Sequence, residues 1–397
     1  MARPTNTDRS RIFCTEDARR IAQKRLPRVI FDFIEGAAGR EVATARNQTR
    51  FDEITLQPRV LENVGARRLE TRFLGRRHGL PFGIAPMGMC NLTHPDADRA
   101  LARAASRFDI PLCLSSAASS SIEEMRSWAG DHAWFQLYVG ASMEQSLDMV
   151  HRAKVAGYDT LILTVDVPQV ARRTRDLRNG FQMPFRMTPR LLWDFASHPS
   201  WSLSMLRNGA PEPRNFSTSA TATRFDRSAS RAGADWAFLD RLRDLWPGRL
   251  IVKGVGSPPD ARRIQAAGVD AIQVSNHGGR QLDSVPAAID LLPRIRAAVG
   301  PDYPLIFDSG LRNGEDIVKA LARGADFVML GRPLLYALGA EGARGLTALI
   351  RILAEETSLT LAQVGLTDIG SVSAGILADA SDMPKPKPAA RTALTAY

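Results

Sequence analysis

The segment Ser275–Gln281, with the sequence SNHGGRQ, carries residue types suited to acid–base chemistry on an anion. It follows the apolar run Ala271–Val274, so it begins where a buried strand is expected to end. The imidazole of His277 can accept a proton near neutral pH, and the guanidinium of Arg280 can hold a carboxylate through two parallel hydrogen bonds. The two glycines between them let backbone and ligand approach closely. The alternative is a purely structural role, in which His277 is a buried, hydrogen-bonded core residue and the glycines form an ordinary turn. Polar or charged groups also follow seven other strand-like runs, which favours a functional site over this alternative.

Eight short apolar, partly β-branched runs recur along the chain, most of them separated by segments with helical periodicity. Near-continuous hydrophobicity without strict alternation is typical of strands buried on both faces, as in parallel sheets. Repeated eight times, this alternation predicts a (β/α)8 barrel of the TIM type. An open doubly wound sheet is the alternative, although no GxGxxG motif follows a first strand. The predicted strands are Pro81–Met89, Ile110–Ser116, His132–Val139, Tyr158–Asp166, Arg249–Val255, Ala271–His277, Leu305–Gly310 and Phe327–Arg332.

The domain organisation follows from where this alternation starts, breaks and stops. One long insert lies between the fourth and fifth predicted strands, where far more residues occur than one helix needs. The predicted units are a disordered N-terminus over residues 1–10, an N-terminal helical segment over 11–80, a barrel over 81–372 with the insert at about 176–235, and a flexible C-terminal tail over 373–397.

The insert contains an apolar and aromatic stretch, Leu191–Leu206, flanked by arginines. Tryptophan, leucine and methionine beside arginine are typical of a segment that lies on a membrane surface. A lid packed on the barrel mouth, or a contact between subunits, is an equally open interpretation. The Ser/Thr/Ala-rich stretch Ser217–Ser230 is predicted to be flexible. The side chains expected to enter an anionic membrane surface or to meet its headgroups are Trp193, Trp201, Leu206, Arg190 and Arg207.

Composition excludes several classes of protein. No apolar run approaches the roughly 18 to 20 residues that span a bilayer, and the chain does not open with the apolar core of a secretory signal. Three scattered cysteines are too few for a disulfide framework, and no metal site is predicted. The net charge is +10, but the arginines are dispersed, so nucleic-acid binding is not expected. We expect a cytoplasmic protein that can associate with the inner face of the cell membrane.

The carboxyl ends of the strands predict the site, because catalytic groups of such barrels lie there. Glycines and arginines at the last two ends predict a phosphate site. A lone lysine such as Lys253 is uncommon at a strand end, and beside an electron-accepting ring it would stabilise negative charge on that ring. The residues at or beside the predicted ends are Pro86, Met87, Gly88, Ser115, Gln136, Tyr138, Thr164, Asp166, Lys253, Ser275, His277, Arg280, Asp308, Ser309, Gly310, Arg312, Gly331 and Arg332.

This ordered set resembles the FMN-dependent L-2-hydroxy-acid dehydrogenase/oxidase family. The resemblance extends from Leu26-Pro27 to about Ile369, and SNHGGRQLD is its most specific motif. The segments FQLYV, LTVD, VKG and LGRP occur in the order found in the family. The insert motif HP.WSL and the following RDLWP are most similar to the membrane-associated bacterial mandelate and lactate dehydrogenases.

The resemblance implies a base, a carboxylate clamp and an FMN site. The implied base, acting at the substrate's 2-carbon, is His277, and Asp166 is the carboxylate that would stabilise charged His277. Arg280 and Arg173 would bind the substrate carboxylate as the clamp, and Tyr138 would hydrogen-bond to the substrate oxygen. Lys253 would lie at the flavin N1/O2 edge. On the flavin ring, the implied FMN contacts are Pro86, Met87 and Gly88 near N5, Gln136 and Thr164 at the pyrimidine ring, and Ser115 elsewhere. Asp308 is implied at the ribityl chain, and Gly310, Arg312, Gly331 and Arg332 are implied at the phosphate. Lys253, Ser275 and Ser309 are also expected to bind FMN.

Two departures from the family pattern bear on the substrate. Where the family has a tyrosine that binds the substrate carboxylate, this chain has Phe33, so one hydrogen bond to a charged group, worth about 1.5–3 kcal/mol, is absent. Where glycolate oxidase has a bulky tryptophan, this chain has Ala117, and Gly88 is small as well. These residues predict a pocket with room for a large 2-substituent.

The resemblance implies that the enzyme oxidises an L-2-hydroxy acid with a bulky or aromatic 2-substituent to the 2-oxo acid. Electrons would pass to a quinone-type acceptor or to oxygen, and a homotetramer is expected. One alternative is an isomerase or another enzyme on an FMN- or phosphate-binding barrel, although such enzymes need no carboxylate clamp. The other is a non-catalytic flavin-binding protein, which only Phe33 suggests.

Overall fold

The structure is a computed structural model that describes residues 10–140, 142–217 and 230–378. The predictions for residues 1–9, for 218–229 of the insert and for the tail beyond Ala378 therefore lie outside the described residues. The first residues of the predicted flexible tail are packed on the domain. Ile376 is buried, and the Ala378 N–H donates a hydrogen bond to the Thr55 carbonyl (3.0 Å). Residues 373–378 thus belong with the folded domain.

Eight parallel strands, β3 to β10, form a closed barrel in which each strand pairs with its neighbours in sequence and β10 pairs with β3. This confirms the predicted (β/α)8 barrel, and every predicted run contains one of its strands. Two further strands, β1 and β2, precede it. The strands are β1 Thr71–Phe73, β2 Arg76–His78, β3 Phe82–Met87, β4 Leu112–Ser115, β5 Ala133–Leu137, β6 Thr160–Thr164, β7 Arg249–Val255, β8 Ala271–Val274, β9 Leu305–Phe307 and β10 Phe327–Leu330.

Helices cover the outside of the barrel, and several of them begin at a serine that caps the first turn. Ser121 forms a reciprocal capping box with Glu124, and the hydroxyls of Ser142 and Ser257 accept hydrogen bonds from the first turns of their helices. The helices are α1 Thr15–Arg25, α2 Arg28–Glu35, α3 Val42–Asp52, α4 Ala97–Phe108, α5 Ile122–Ala129, α6 Met143–Val155, α7 Thr174–Asn179, α8 Pro189–Ala196, α9 Pro199–Asn208, α10 Arg214–Ser217, α11 Trp236–Leu245, α12 Pro258–Ala266, α13 Ala288–Val299, α14 Gly314–Ala322 and α15 Arg332–Gln363, which is interrupted at Glu341 and Gly342.

The N-terminal segment is helical only as far as Asp52, and the antiparallel hairpin of β1 and β2 follows. Its two-residue turn, Leu74-Gly75, has positive φ at both positions (47° and 75°), as tight hairpin turns require. Phe73 stacks on Phe327 at the amino end of β10, with ring centroids 5.2 Å apart. The hairpin therefore packs against the amino end of the barrel, and side chains fill the interior next to it.

The insert contributes α7 to α10. One side chain predicted to enter a membrane, Trp201, is instead buried in the protein, as is Leu191 of the same stretch. Leu191 packs in the core, and the indole N–H of Trp201 donates a hydrogen bond to the Leu92 carbonyl (2.8 Å). The prediction that Trp201 inserts into a membrane is therefore wrong, because a buried, hydrogen-bonded indole anchors α9 to the barrel. Other apolar side chains of the insert are exposed, namely Met187, Leu192, Trp193, Leu203 and Leu206. Within the described residues, no helix is long and apolar enough to cross a bilayer.

Candidate active site

A cavity of about 1150 Å³ opens at the carboxyl end of the barrel, where α2 and the insert meet the strand ends. Pockets for one small ligand usually measure roughly 300–1,000 Å³, so this cavity has room for a cofactor together with a substrate. The predicted residues that line it are Phe33, Pro86, Met87, Gly88, Ser115, Ala117, Tyr138, Arg173, Lys253, His277, Arg280, Asp308, Ser309, Gly310, Arg312, Gly331 and Arg332. The other predicted residues lie behind this wall and are Gln136, Thr164, Asp166 and Ser275.

The candidate base, His277, is held between a carboxylate and a phenol. Its Nδ1 lies 3.0 Å from Asp166 Oδ1, and its Nε2 lies 3.3 Å from the hydroxyl of Tyr138. Burial and the nearby charges of Lys253 and Arg173 lower the pKa of His277, although Asp166 opposes them. The imidazole is therefore neutral at neutral pH, and with Nδ1–H directed at Asp166 its Nε2 lone pair faces the cavity side.

The backbone at His277 is left-handed over three consecutive residues, with φ of 56°, 63° and 77° at His277, Gly278 and Gly279. A Cβ at Gly278 would lie 2.7 Å from Arg332 Nη1, and one at Gly279 would lie 2.4 Å from Thr44 Oγ1. Only glycine fits these two positions. The strained conformation of His277 is one that proteins retain chiefly where a side chain must be aimed.

Lys253 lies between two carboxylates at the end of β7. Its Nζ is 3.4 Å from Asp308 Oδ2 and 3.9 Å from Asp166 Oδ2, and it donates a hydrogen bond to Ser275 Oγ (2.9 Å). Burial alone would lower the pKa of Lys253, but the two carboxylates outweigh burial and raise it. Burial alone would likewise raise the pKa of Asp166, yet the charges of His277 and Lys253 lower it. The cluster therefore keeps a permanent cation beside a permanent carboxylate.

Two buried polar atoms on neighbouring strands test whether a flavin fits here. Gln136 Nε2 and Thr164 Oγ1 have no hydrogen-bond partner among the residues that the structure describes. Both lie next to residues that line the cavity, since Gln136 Oε1 accepts from Ser115 Oγ (3.0 Å) and Thr164 is in register with Lys253. An unpartnered buried polar group costs about 1–3 kcal/mol, so these atoms favour a ligand with a polar edge at this wall. The pyrimidine edge of a flavin has such donors and acceptors.

The opposite end of the cavity is suited to a phosphate. Gly331 caps the amino end of α15, where unpaired backbone N–H groups attract anions, and Arg312 and Gly310 line the same region. The guanidinium of Arg332 is held by three carbonyl oxygens, those of Ile34, Gly278 and Gly36, at 2.8 to 3.2 Å. Arg332 thus fixes α2 against the His277 turn as well as lining the cavity.

The candidate carboxylate clamp is built against the last carbonyls of α2. Arg280 Nη1 donates to the carbonyls of Phe33, Ile34 and Gly36, at 3.0, 3.1 and 2.7 Å, which fixes the plane of its guanidinium. Arg173 Nε donates to the backbone carbonyl of Arg280 (3.4 Å), and both arginines line the cavity. The structure therefore brings together the two arginines that the resemblance paired, although they lie on separate loops.

The wall beside this clamp is aromatic. Phe33 stacks face to face on Phe181 of the insert, with ring centroids 4.3 Å apart and planes within 3°, and the Arg280 guanidinium lies 5.4 Å from the Phe33 ring. On the far side, a Cβ built on Gly88 would lie 3.2 Å from the Ala117 Cβ, so these two small residues meet across a shallow wall. All four of these apolar or small residues line the cavity.

Sequence reasoning missed the cavity residues supplied by the insert. They include Phe181, Met183, Phe185, Phe216 and Arg231. These residues lie outside the barrel strands, so no strand-end rule selects them. Only the composition of the insert, which favoured a lid as one interpretation, pointed in this direction. Within the described residues, no group of three His, Cys, Asp or Glu side chains is arranged to hold a metal ion.

Comparisons with known proteins agree with this geometry. Residues 22–379 match the model of the FMN-dependent dehydrogenase family. The chain is 41% identical to (S)-mandelate dehydrogenase of Pseudomonas putida over 91% of its own length and 93% of the relative's. It is 38% identical to L-lactate dehydrogenase of Pseudomonas syringae, over 93% and 99% of the two chains.

Among solved structures, the chain is similar to that of the monotopic membrane protein (S)-mandelate dehydrogenase. The TM-score is 0.88 at 40% identity, over 93% of this chain and 100% of that one. A mandelate oxidase structure is similar with a TM-score of 0.78 at 34% identity, over 91% and 97% of the two chains. A family match over most of the chain, a shared barrel and several relatives above 30% identity lead to one conclusion. The chain belongs to the FMN-dependent dehydrogenase family.

Proposed function

We propose that this FMN-dependent oxidoreductase converts an L-2-hydroxy acid with a bulky or aromatic 2-substituent, such as mandelate, to the 2-oxo acid. One observation carries the proposal. His277, paired with Asp166 at 3.0 Å and with the Tyr138 hydroxyl at 3.3 Å, lines the same cavity as the two arginines of the clamp. A base, a phenol and a carboxylate clamp are the groups that oxidation of a 2-hydroxy acid needs.

The proposed mechanism uses these residues as follows. Arg280 and Arg173 bind the substrate carboxylate, and Tyr138 donates a hydrogen bond to the 2-oxygen. His277 Nε2 then accepts a proton from the H–C–OH group, and Asp166 stabilises the imidazolium that forms. FMN, when bound, would supply the two-electron acceptor, and the Lys253 ammonium would stabilise the negative charge that the ring takes up.

The residues that would hold FMN surround the rest of the cavity. Gln136, Thr164 and Ser115 lie at one wall, and Arg312 with the amino end of α15 lies at the phosphate end. Their chemistry fits a flavin ring edge and a single phosphate. A non-catalytic flavin-binding protein would have no need for the buried His277–Asp166 pair, so the enzymatic function is favoured.

The substrate range is tested by anaerobic reduction of the enzyme-bound flavin with a panel of 2-hydroxy acids. We expect (S)-mandelate to bleach the flavin absorbance faster than L-lactate or glycolate at equal concentration. The (R)-enantiomer of mandelate is the control and should leave the spectrum unchanged. A protein that stays oxidised with every acid would contradict the proposed function, and one that prefers glycolate would contradict the large-substrate part of it.

We further propose peripheral attachment to the inner face of the cell membrane, with electrons passing to a quinone-type acceptor. The support is the exposed apolar surface of α8 and α9, where Trp193 is 77% and Leu206 is 81% exposed, beside the exposed Arg190 and Arg207. The similar mandelate dehydrogenase is itself a monotopic membrane protein. A homotetramer is expected from the family resemblance and is checked by light scattering.

Co-sedimentation with anionic liposomes tests the attachment. The double variant Trp193→Asp/Leu206→Asp should pellet less than the unchanged protein, because charge replaces two large apolar side chains that are exposed on α8 and α9. Val155→Asp is the matched control, since Val155 is 72% exposed on α6 of the barrel. Equal pelleting of the two variants would show that α8 and α9 do not mediate binding.

A further inference from the structure

Arg231 is a buried cation in the cavity that none of the roles above explains. It lines the cavity with an exposure of only 8%, and its backbone N–H donates to the Pro168 carbonyl (2.9 Å), which fixes it near the end of β6. Arginine is rarely buried to this extent without a function or a partner. Its position therefore calls for an explanation in terms of the groups that it touches.

Among the described residues, Arg231 contacts Tyr138, the phenol that lies beside the candidate base. The guanidinium carbon of Arg231 lies 5.2 Å from the centroid of the Tyr138 ring, within the range of a cation–π contact. The hydroxyl of the same ring lies 3.3 Å from His277 Nε2. The backbone N–H of Tyr138 donates to Ser116 Oγ (3.1 Å). Tyr138 is thus held at its backbone, over its ring face and at its hydroxyl.

We propose that Arg231 is a positioning residue for Tyr138, which it holds towards the substrate oxygen and makes a stronger hydrogen-bond donor. The inference rests on the proposed function, because it assumes that Tyr138 contacts the 2-oxygen of a hydroxy acid. A positive charge over the face of a phenol ring is attracted to its electrons and favours loss of the hydroxyl proton, so the O–H group becomes a stronger hydrogen-bond donor. Such a contact is stronger in a buried site than on a surface.

The electrostatics of Tyr138 agree with this role. Burial raises the pKa of Tyr138, and the charges of Lys253, Arg231 and Arg173 act against that rise while Asp166 adds to it. Lys253 lies between the carboxylates of Asp166 and Asp308, and Arg173 lies beside Arg280 in the candidate clamp. Arg231 is the cation among these whose guanidinium lies over the phenol ring itself.

A different role for Arg231 is direct binding of a second anionic group on the substrate. That role would change the apparent affinity for the substrate rather than the rate of the step in which Tyr138 takes part. The two roles are therefore separable by measuring the limiting rate of flavin reduction and the substrate concentration at half-saturation independently.

The test is a double-mutant cycle between Arg231→Met and Tyr138→Phe, with stopped-flow reduction of the FMN-loaded enzyme by (S)-mandelate. We expect Arg231→Met alone to lower the limiting rate by about fivefold to thirtyfold. In the Tyr138→Phe background the same change should alter the rate less than about twofold, since the hydroxyl on which Arg231 acts is gone. Arg231→Lys should recover part of the rate, because it retains a cation.

Arg263→Met is the matched control, because Arg263 lies 3.9 Å over the Trp236 ring on the outside of the barrel. It removes a cation–π contact without touching the cavity and should leave the limiting rate unchanged. Thermal unfolding and FMN content are measured for every variant. If Arg231→Met does not retain FMN, Arg231→Gln replaces it in the same cycle.

Three outcomes would overturn the inference. Additive effects of Arg231→Met and Tyr138→Phe would show that the residues act independently. A higher half-saturation concentration with an unchanged limiting rate would assign Arg231 to direct substrate binding. Loss of FMN or of the fold in both neutral variants would make Arg231 a structural cation. Failure of every 2-hydroxy acid to reduce the unchanged enzyme would instead refute the proposed function, and this inference with it.

Discussion

Replacing Asp166 by asparagine tests the central pair of the proposed mechanism. The carboxylate lies 3.0 Å from His277 Nδ1 and its side chain is only 11% exposed, so it would stabilise an imidazolium protonated at Nε2 with little screening by solvent. Asparagine has nearly the same shape, but it removes the charge. Its amide can also donate to Nδ1, which would place the ring proton on Nε2 and leave no lone pair to act as the base.

The magnitude follows from these two effects. A hydrogen bond to a charged group contributes about 1.5–3 kcal/mol, or roughly 10- to 150-fold in rate, and loss of the productive tautomer adds to it. We therefore expect the limiting rate of flavin reduction to fall by about 10²–10⁴-fold, the range of general-base catalysis. Binding of the substrate should change far less, because Asp166 lies behind the cavity wall.

The pH dependence has a defined sign. His277 must be neutral to act, so the rate is lost as the pH falls through its pKa, which burial places below the usual 6.5. Asp166 raises the pKa of His277, so its replacement should move the acid limb of the residual activity to still lower pH. The acid limb of the rate is measured by stopped-flow flavin reduction between about pH 4.5 and 8, a range that extends on both sides of the ordinary histidine pKa.

The control is Asp109→Asn, because Asp109 makes a similar pair with His132 (3.6 Å) at the amino end of the barrel. Asp109 has a φ of 51°, and asparagine tolerates that conformation. This variant should reduce its flavin at the normal rate. A normal rate for Asp166→Asn, or an acid limb that moves to higher pH, would refute the assignment of His277 and Asp166 as base and stabilising carboxylate.

Two further predictions concern the substrate side of the cavity. Phe33→Tyr would add a hydroxyl to the apolar wall that Phe33 shares with Phe181. Burying a hydroxyl without a hydrogen-bond partner costs about 1–3 kcal/mol. The value of kcat/KM for mandelate should therefore fall about 5- to 150-fold relative to the value for lactate. A variant that is better on both acids would remove the main support for a large substrate. Arg280→Lys should raise KM more than it lowers kcat, because lysine cannot form the paired hydrogen bonds of a guanidinium. Steady-state kinetics with (S)-mandelate checks this, and an unchanged KM would exclude Arg280 from the clamp.

The barrel and its strand ends could be predicted from sequence because parallel strands buried on both faces leave a direct signal. Every predicted run contains a strand, and most of the residues predicted at the strand ends line the cavity at the carboxyl end of the barrel. The hairpin at Leu74-Gly75 was missed because its strands are three residues long and rich in arginine, so they show no apolar run. Short charged strands that only cover a barrel end have no periodicity to detect.

The insert could not be predicted in the same way, because burial there depends on tertiary contacts. Trp193 and Trp201 lie in one apolar stretch, yet Trp193 is exposed while Trp201 reaches the Leu92 carbonyl. No local pattern distinguishes the two. Arg231 reaches Tyr138 from a position 93 residues further along the chain, and composition alone cannot reveal such a contact.

The helix α2 precedes the barrel, yet residues at its carboxyl end line the cavity that holds the candidate site. Its last carbonyls carry partial negative charge, and they accept hydrogen bonds from Arg280 and Arg332. Arg280 is also part of the proposed clamp, and Arg332 also donates to the Gly278 carbonyl of the His277 turn (2.8 Å). A shift of α2 would therefore move the clamp and the base together. The identity of residue 33 at the end of this helix thus influences both the shape of the pocket and the position of the groups that act on the substrate.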